Sequence, residues 1–508
     1  MGNKPFSVLL VIALLALMLA VSYKDINEAS SEFGVASSDV LEEDDTLVIW
    51  YADDSLTEYL NTAALSYQAD RGTKVVTKLV SGVDYLERIN TYSVYSGESD
   101  GEGTVMVPPD LYITTHDNLM RAYLSGLATE ITDPHETMAP EHFPRTALNA
   151  VTYEDRYVAY PMYYETNYFL YNKTYMQNLA SQRISEEQDR IMGREAQAAI
   201  DSGDADPTKE SDQEEAADEA PMGEEDATAS PEVLKRLSNM IPSTIDDIRD
   251  FANYYDAPES VEAVFKWDVS DIFYNYFFVG NYISIGGDNG DNSMLFNVYN
   301  DKAVEALRVY QDLNNFFSID AKEVTYDKII REFIDGKTVF TVATTDAIRK
   351  IEEARLDGRF DYEYGVAVLP DVSKTLKSRG LSVTTSVVVN GYSENKEKAN
   401  DFASYISYEK GQELYKKAGK IACKRECVYE NNEIYNIMNE YEKSVPLPKM
   451  VETQDYWVRL EIAFTDVWNG ADPDETLRNL SDSLASQLKE SEYHIPFQES
   501  FGVGLTYD

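Results

Sequence analysis

Residues 157–173 read Tyr-Val-Ala-Tyr-Pro-Met-Tyr-Tyr-Glu-Thr-Asn-Tyr-Phe-Leu-Tyr-Asn-Lys, and this stretch limits the fold more than any other. Apolar residues recur at period two on either side of Pro161 and a lone acid, Glu165. Alternation of that kind predicts β structure, and a proline inside it predicts a break, because proline cannot donate to a sheet ladder. The expectation is two β segments, one stopping at Pro161 and one ending in Tyr171-Asn172-Lys173, with a polar point between them. A carboxylate buried there without a partner would be costly, so Glu165 is the residue hardest to explain as structural.

The flanking segments set the fold class. Thr46–Trp50 has a buried-strand pattern, and a polar turn at Ala52–Ser55 follows it. Next come a helix carrying Leu60, Ala63, Ala64 and Tyr67 on one face and a strand at Lys74–Val80. This β–α–β order opens a wound α/β lobe. Further strands are predicted at Pro109–Ile113, Thr338–Val342, Tyr364–Pro370 and Thr385–Val389. Helices are predicted at Leu119–Leu127, Asn300–Phe317, Glu394–Ala418 and Pro473–Leu488. The 508 residues exceed what one core organises, about 250–300.

Three stretches lie outside that pattern. Lys4 precedes uncharged, mostly apolar residues from Phe6 to Val21, so residues 1–22 read as a signal peptide or an N-terminal membrane anchor. Residues 23–45 read as a flexible acidic tether. Residues 181–230 hold 16 acidic and 4 basic residues, a net of −12. They predict a disordered acidic insertion, with Arg183–Ile200 its most helical part.

Net charge is −46, which repels phosphate backbones and argues against nucleic-acid binding. The two cysteines, Cys423 and Cys427, either form a local disulfide or stay free. With no histidine nearby they make a poor zinc site, so neither metal nor cofactor is expected.

A set of short landmarks follows in order over about residues 46–490. They are Leu47–Asp54, Pro109–Asp117 with Gly126–Ile131, Val158–Glu165 with Tyr171–Lys173, Phe333–Lys337, Gly365–Pro370, and Pro446–Met450 before Tyr456-Trp457. Together they resemble the family 1 extracellular solute-binding proteins of the sugar type. The resemblance implies an α/β, two-lobed periplasmic-binding-protein-like (type II) fold with a hinge and an interlobe cleft. Lobe 1 would be 46–163 plus 371–425, and lobe 2 would be 166–369 plus 426–508. It also implies an exported, monomeric, non-enzymatic protein that captures a small polar solute, a mono- or oligosaccharide, for the permease subunits of an ABC-type importer.

By position, the resemblance makes Asp54, Asp117 and Glu165 acceptors for solute hydroxyls and Trp457 a stacking face on the opposite lobe. Asp54 could equally be a turn or cap residue, Asp117 a helix cap, and Trp457 core. Two positions depart from the family pattern. Thr114 and the run Thr344-Thr345-Asp346 stand where aromatic platforms are expected, which favours a small sugar over a long glucan. Tyr163, Tyr164, Trp267 and Tyr456 are candidates to restore aromatic area, and Trp267 and Asp271 fit either the second wall or its core.

Rival classes fare worse. Acidic residues are too abundant for a carboxylate pair to signal a glycoside hydrolase, and no nucleophile, metalloprotease or phosphate-loop motif is present. A ferric-iron binder would use tyrosine pairs such as Tyr163-Tyr164 and Tyr254-Tyr255, but only four histidines are available to join them. A receptor or sensor domain without an importer is indistinguishable from a transport component at this level.

Overall fold

The computed structural model describes residues 46–99, 105–201, 230–450 and 455–489. Strands β1 (Thr46–Tyr51), β2 (Lys74–Leu79) and β3 (Leu111–Thr115) run parallel, with helix α1 (Thr57–Arg71) between the first two. Helix α1 buries Tyr59, Leu60, Ala63, Ala64 and Tyr67, which includes the stripe its spacing predicts. It stops at Gly72, whose φ of +79° lies in the left-handed region that a residue without Cβ adopts readily.

The remaining main-sheet strands are β4 (Tyr160–Asn172), β5 (Ala263–Phe265), β6 (Thr338–Thr344), β7 (Tyr364–Ala367), β8 (Leu381–Val389) and β9 (Val445–Pro446). The order is β2-β1-β3-β8-β4-β6-β5, with β7 also on β4 and β9 on β8. Strand β4 joins the two halves. Its residues 160–166 pair with β8, whereas residues 167–172 pair with β6 and β7. The two β segments expected around Pro161 are therefore one continuous strand that changes partners. Pro161 is accommodated at a register shift opposite Thr385 and Ser386, where a missing donor is tolerated. Of the thirteen residues of β4, only Glu165 is not buried.

Side chains alternate along β4. Beyond the waist, Tyr168 and Leu170 enter one core while Phe169 and Tyr171 enter the other. The first core contains Ile49, Tyr112, Val387 and Phe402; the second contains Trp267, Tyr310, Phe340 and Trp468.

The acidic stretch is ordered at its start. Helix α2 (Lys173–Asp201) runs through residues 181–201, as the Arg183–Ile200 portion predicts, and packs on helix α3 (Pro231–Ser238). Arg183 lies 5.3 Å from the Tyr254 ring centre and Glu187 pairs with Arg236, so disorder does not begin at residue 181. Residues 202–229, like the N-terminal segment and tether, lie outside the described residues. Among the described residues, no helix is long and apolar enough to cross a membrane.

Helix α4 (Asp346–Leu356) follows β6, and helix α5 (Glu433–Lys443) packs along β4 and β7 and against the helix Arg145–Ala150. Helix α5 thus covers the waist, with its Ile434, Ile437 and Tyr441 in the first core. Nearby, Cys423 and Cys427 are buried and unlinked, with Cys423 Sγ 3.8 Å from the Tyr441 hydroxyl.

Glu440 of α5 is only 7% exposed and accepts the backbone N–H of Leu369. Burial pushes its carboxyl up to about 7, with Lys443 offsetting part of the effect. An unfolded glutamate titrates near ~4.3. The folded state therefore binds more protons between about pH 4 and 7, and stability falls as pH rises through that window. Glu440→Gln should flatten this dependence, by up to about 3 kcal/mol, in urea melts at pH 5 and pH 8.

Candidate functional site

Strands β1, β3 and β4 run in one direction, because β8 is antiparallel to both β3 and β4. In the other half, β6 is antiparallel to β4 and parallel to β5. The carboxyl ends of β1, β3, β5 and β6 consequently face the place where β4 changes partners. Open α/β sheets bind ligands beyond the carboxyl ends of their strands. Here those ends carry Asp53 and Asp54 after β1, Asp117 after β3, Asp271 after β5 and Asp346 after β6, with Glu165 on β4 itself.

A charged network occupies the first half. Lys420 Nζ lies 2.9 Å from Asp53 Oδ2 and 3.7 Å from Glu165 Oε1, and 5.1 Å from the Tyr163 ring centre. Asp53 caps the short turn that follows it, accepting from Ser55 N and Oγ at 3.0 and 2.6 Å, and it also accepts from the Tyr163 hydroxyl at 3.3 Å. Burial alone would raise the Asp53 carboxyl, but Ser55 and Lys420 outweigh it and hold it below the usual value. Glu165 goes the other way. Its crowded position raises it, Lys420 offsets part of that, and Asp346 and Asp53 raise it further. Its side chain keeps 45% of its surface open to water.

On the second half, Asp346 begins α4. It accepts from the Tyr326 hydroxyl at 2.7 Å and Thr344 Oγ1 at 2.5 Å, and pairs with Lys350 at 2.8 Å. Tyr326 stacks on Tyr274 with centres 4.7 Å apart, and burial raises the Tyr274 hydroxyl, with the Asp271 charge adding to it. Charges from both halves thus meet around Glu165.

The remaining expected residues divide. Asp117 is half-buried, and its Oδ1 is buried with no hydrogen-bond partner among the described residues, an acceptor left open at the end of β3. Asp54 is exposed, and its neighbour Asp53 makes the network contacts. Tyr163 belongs to the network through its hydroxyl. Tyr164 points to the opposite face, as successive strand residues do, and stacks on Tyr441 with ring centres 3.7 Å apart. Trp267 is wholly buried, stacked on Phe265 and donating to Asn275 Oδ1 at 2.8 Å. Tyr456 is 1% exposed. These last three rings are core, so they offer no face to a solute here. Trp457 is half-buried, edge-on to Tyr276 at 5.6 Å, beside the turn that follows β5.

His116 is a structural tie. Its Nδ1 accepts from Thr384 N–H at 3.1 Å, so Nε2 carries the proton toward Leu447 O, and burial pushes the ring down to about 4. Sequence reasoning missed Asp53, Lys420, Lys350, Tyr274 and Tyr326. For Lys420, only its place after Gly419, the left-handed cap of helix Gly411–Ala418, marks the position. Among the described residues, no three His, Cys, Asp or Glu side chains are grouped to hold a metal ion. Larger hollows lie elsewhere. One of about 870 Å³ is bordered by Asn149, Glu154, Gly287 and Arg379, and another of about 820 Å³ by Arg183, Glu187, Arg190 and Tyr254.

Acids presented by strand ends from two sheet halves around one crossing strand define a two-lobed α/β binding protein. The chain belongs to the bacterial extracellular solute-binding protein family, which it matches over residues 101–434. Solved structures share its fold. An extracellular solute-binding protein from Staphylococcus aureus in complex with maltose superposes with a TM-score of 0.64 at 19% identity, over 88% of this chain and 99% of that one. A cyclo/maltodextrin-binding protein complexed with maltotetraose gives 0.64 at 17% identity, over 89% and 99%. At these identities the likeness is one of fold. No curated protein matches the chain.

Proposed function

We propose that this protein captures a small sugar outside the cell by closing two lobes around it and delivers it to the permease subunits of an ABC-type importer. The observation that carries the reading is the meeting of Asp53, Lys420, Glu165 and Asp346 where β4 passes between sheet halves. Carboxylates and ammonium groups accept from and donate to hydroxyls, and groups from both halves can be satisfied together only when the halves approach. The maltose and maltotetraose carried by the two structural neighbours support the sugar class. In this reading the acids bind and orient, and no reaction follows. Lobes of 46–163 plus 371–425 and 166–369 plus 426–508, a monomeric state, and export or anchoring through the apolar run 6–21 complete the proposal.

A thermal-shift screen of residues 46–489 against mono- and disaccharides, amino acids, polyamines and ferric citrate tests it. A ligand at 100 times its dissociation constant stabilises by about 2.7 kcal/mol, so a sugar should raise the melting temperature by degrees. A response confined to polyamines or ferric citrate contradicts the sugar reading.

A further inference from the structure

We infer that Lys420 and Glu165 form a donor–acceptor pair that reads two hydroxyls on neighbouring carbons of the sugar, and that Asp53 is a positioning residue that holds Lys420 in place. The inference rests on the sugar reading above and assigns roles within that site.

An ionised carboxylate offers about four acceptor sites. Asp53 has four donors around it: Ser55 N and Ser55 Oγ on Oδ1, and the Tyr163 hydroxyl and Lys420 on Oδ2. It has little capacity left for a solute. Lys420 is different. An ammonium has three N–H donors; one is directed at Asp53 at 2.9 Å, and the 3.7 Å approach to Glu165 is longer than a good hydrogen bond. Glu165 is the most open of the three, at 45% of its side chain against 33% for Asp53 and 21% for Lys420. The groups with unused hydrogen-bonding capacity are therefore an ammonium and a carboxylate side by side. Each hydroxyl of a sugar can donate and accept. Of two hydroxyls on neighbouring ring carbons, one can accept from Lys420 while the other donates to Glu165, and no unpaired charge remains. A lone hydroxyl can bridge the two, but it takes up only one of the two N–H donors left on Lys420 and one acceptor site of Glu165, whereas two neighbouring hydroxyls use more of both. The Tyr163 ring centre, 5.1 Å from the ammonium, adds a cation–π contact that favours this position of Lys420.

Isothermal titration with D-glucose, D-galactose, D-mannose, D-xylose and maltose identifies a binding sugar, and its mono-deoxy analogues then test each hydroxyl. In the wild type, removing either of one adjacent pair should weaken binding about 10- to 100-fold, the range for a hydrogen bond to a charged group. In Lys420→Met, the penalty for one member of that pair should fall below about threefold, because the partner is already gone. Lys420→Arg, which keeps a donor, should retain discrimination. The charged groups facing Glu165 are Lys420, Asp53 and Asp346. Losing the ammonium raises Glu165, so the acid limb of the binding profile should move to higher pH in Lys420→Met. Asp53→Asn by itself removes a negative charge that raises Glu165 and would move the limb to lower pH; a move to higher pH instead shows that Lys420 has left Glu165, as a positioning role requires. If a sugar binds but no adjacent pair matters in the wild type, this inference fails while the sugar reading stands. If Lys420→Met keeps full discrimination at both hydroxyls, the inference fails likewise. If none of the sugars binds, both fail together.

Discussion

Glu165→Gln lowers affinity for the captured solute by about 10- to 100-fold and leaves the fold intact. The amide fills the same volume, so packing along β4 is conserved, but the full negative charge that accepts from a hydroxyl is lost. Hydrogen bonds to charged groups contribute about 1.5–3 kcal/mol, and each 1.4 kcal/mol is tenfold in binding. Stability should hold or rise near neutral pH. Crowding raises the Glu165 carboxyl in the folded protein, which means the charged form is disfavoured there, and a neutral isostere removes that strain. For the same reason, wild-type binding should weaken on acidification at a higher pH than an ordinary glutamate would give. Titration calorimetry and melting curves on the one variant separate the two effects. Unchanged affinity would remove Glu165 from the site; a large drop in melting temperature would make it a structural residue.

Trp267→Ala has the opposite signature. The indole is wholly buried, lies 4.5 Å from the Phe265 ring centre and 5.7 Å from that of Trp468, and donates to Asn275. Truncating a large buried aromatic costs about 3–5 kcal/mol, and the Asn275 carbonyl loses its donor as well. Urea unfolding should show that loss, with solute affinity of the folded fraction almost unchanged. A variant with near-normal stability and no binding would instead place Trp267 on a cleft wall.

The contrast between these two residues shows what the linear sequence can convey. Strand and helix positions were legible because their apolar periods are strong: the α1 stripe and the β1, β3, β6 and β8 runs all appear where alternation or three-four spacing puts them. The single carboxylate in β4 was legible because an acid in a buried strand has no cheap structural explanation. Aromatic roles were not. Tyr163 and Tyr164 are chemically identical neighbours, and only their opposite orientation sends one to Asp53 and the other onto Tyr441. Asp53 and Asp54 present the same ambiguity, resolved by which of them caps the turn at Ser55. The strand break at Pro161 was over-read, since a proline costs little at an irregular register. Beyond its place after Gly419, Lys420 gives no local signal: it enters the network only by meeting residues of β4 and the β1 loop that are remote in sequence.

Small-angle X-ray scattering of residues 46–489, with and without a saturating sugar identified by calorimetry, tests the central claim of closure around Glu165 most directly. Closure predicts a smaller radius of gyration on binding for the wild type, and recovery of the same compact value in Glu165→Gln only at a correspondingly higher sugar concentration. A radius that stays constant while calorimetry shows the sugar fully bound would contradict capture by lobe closure.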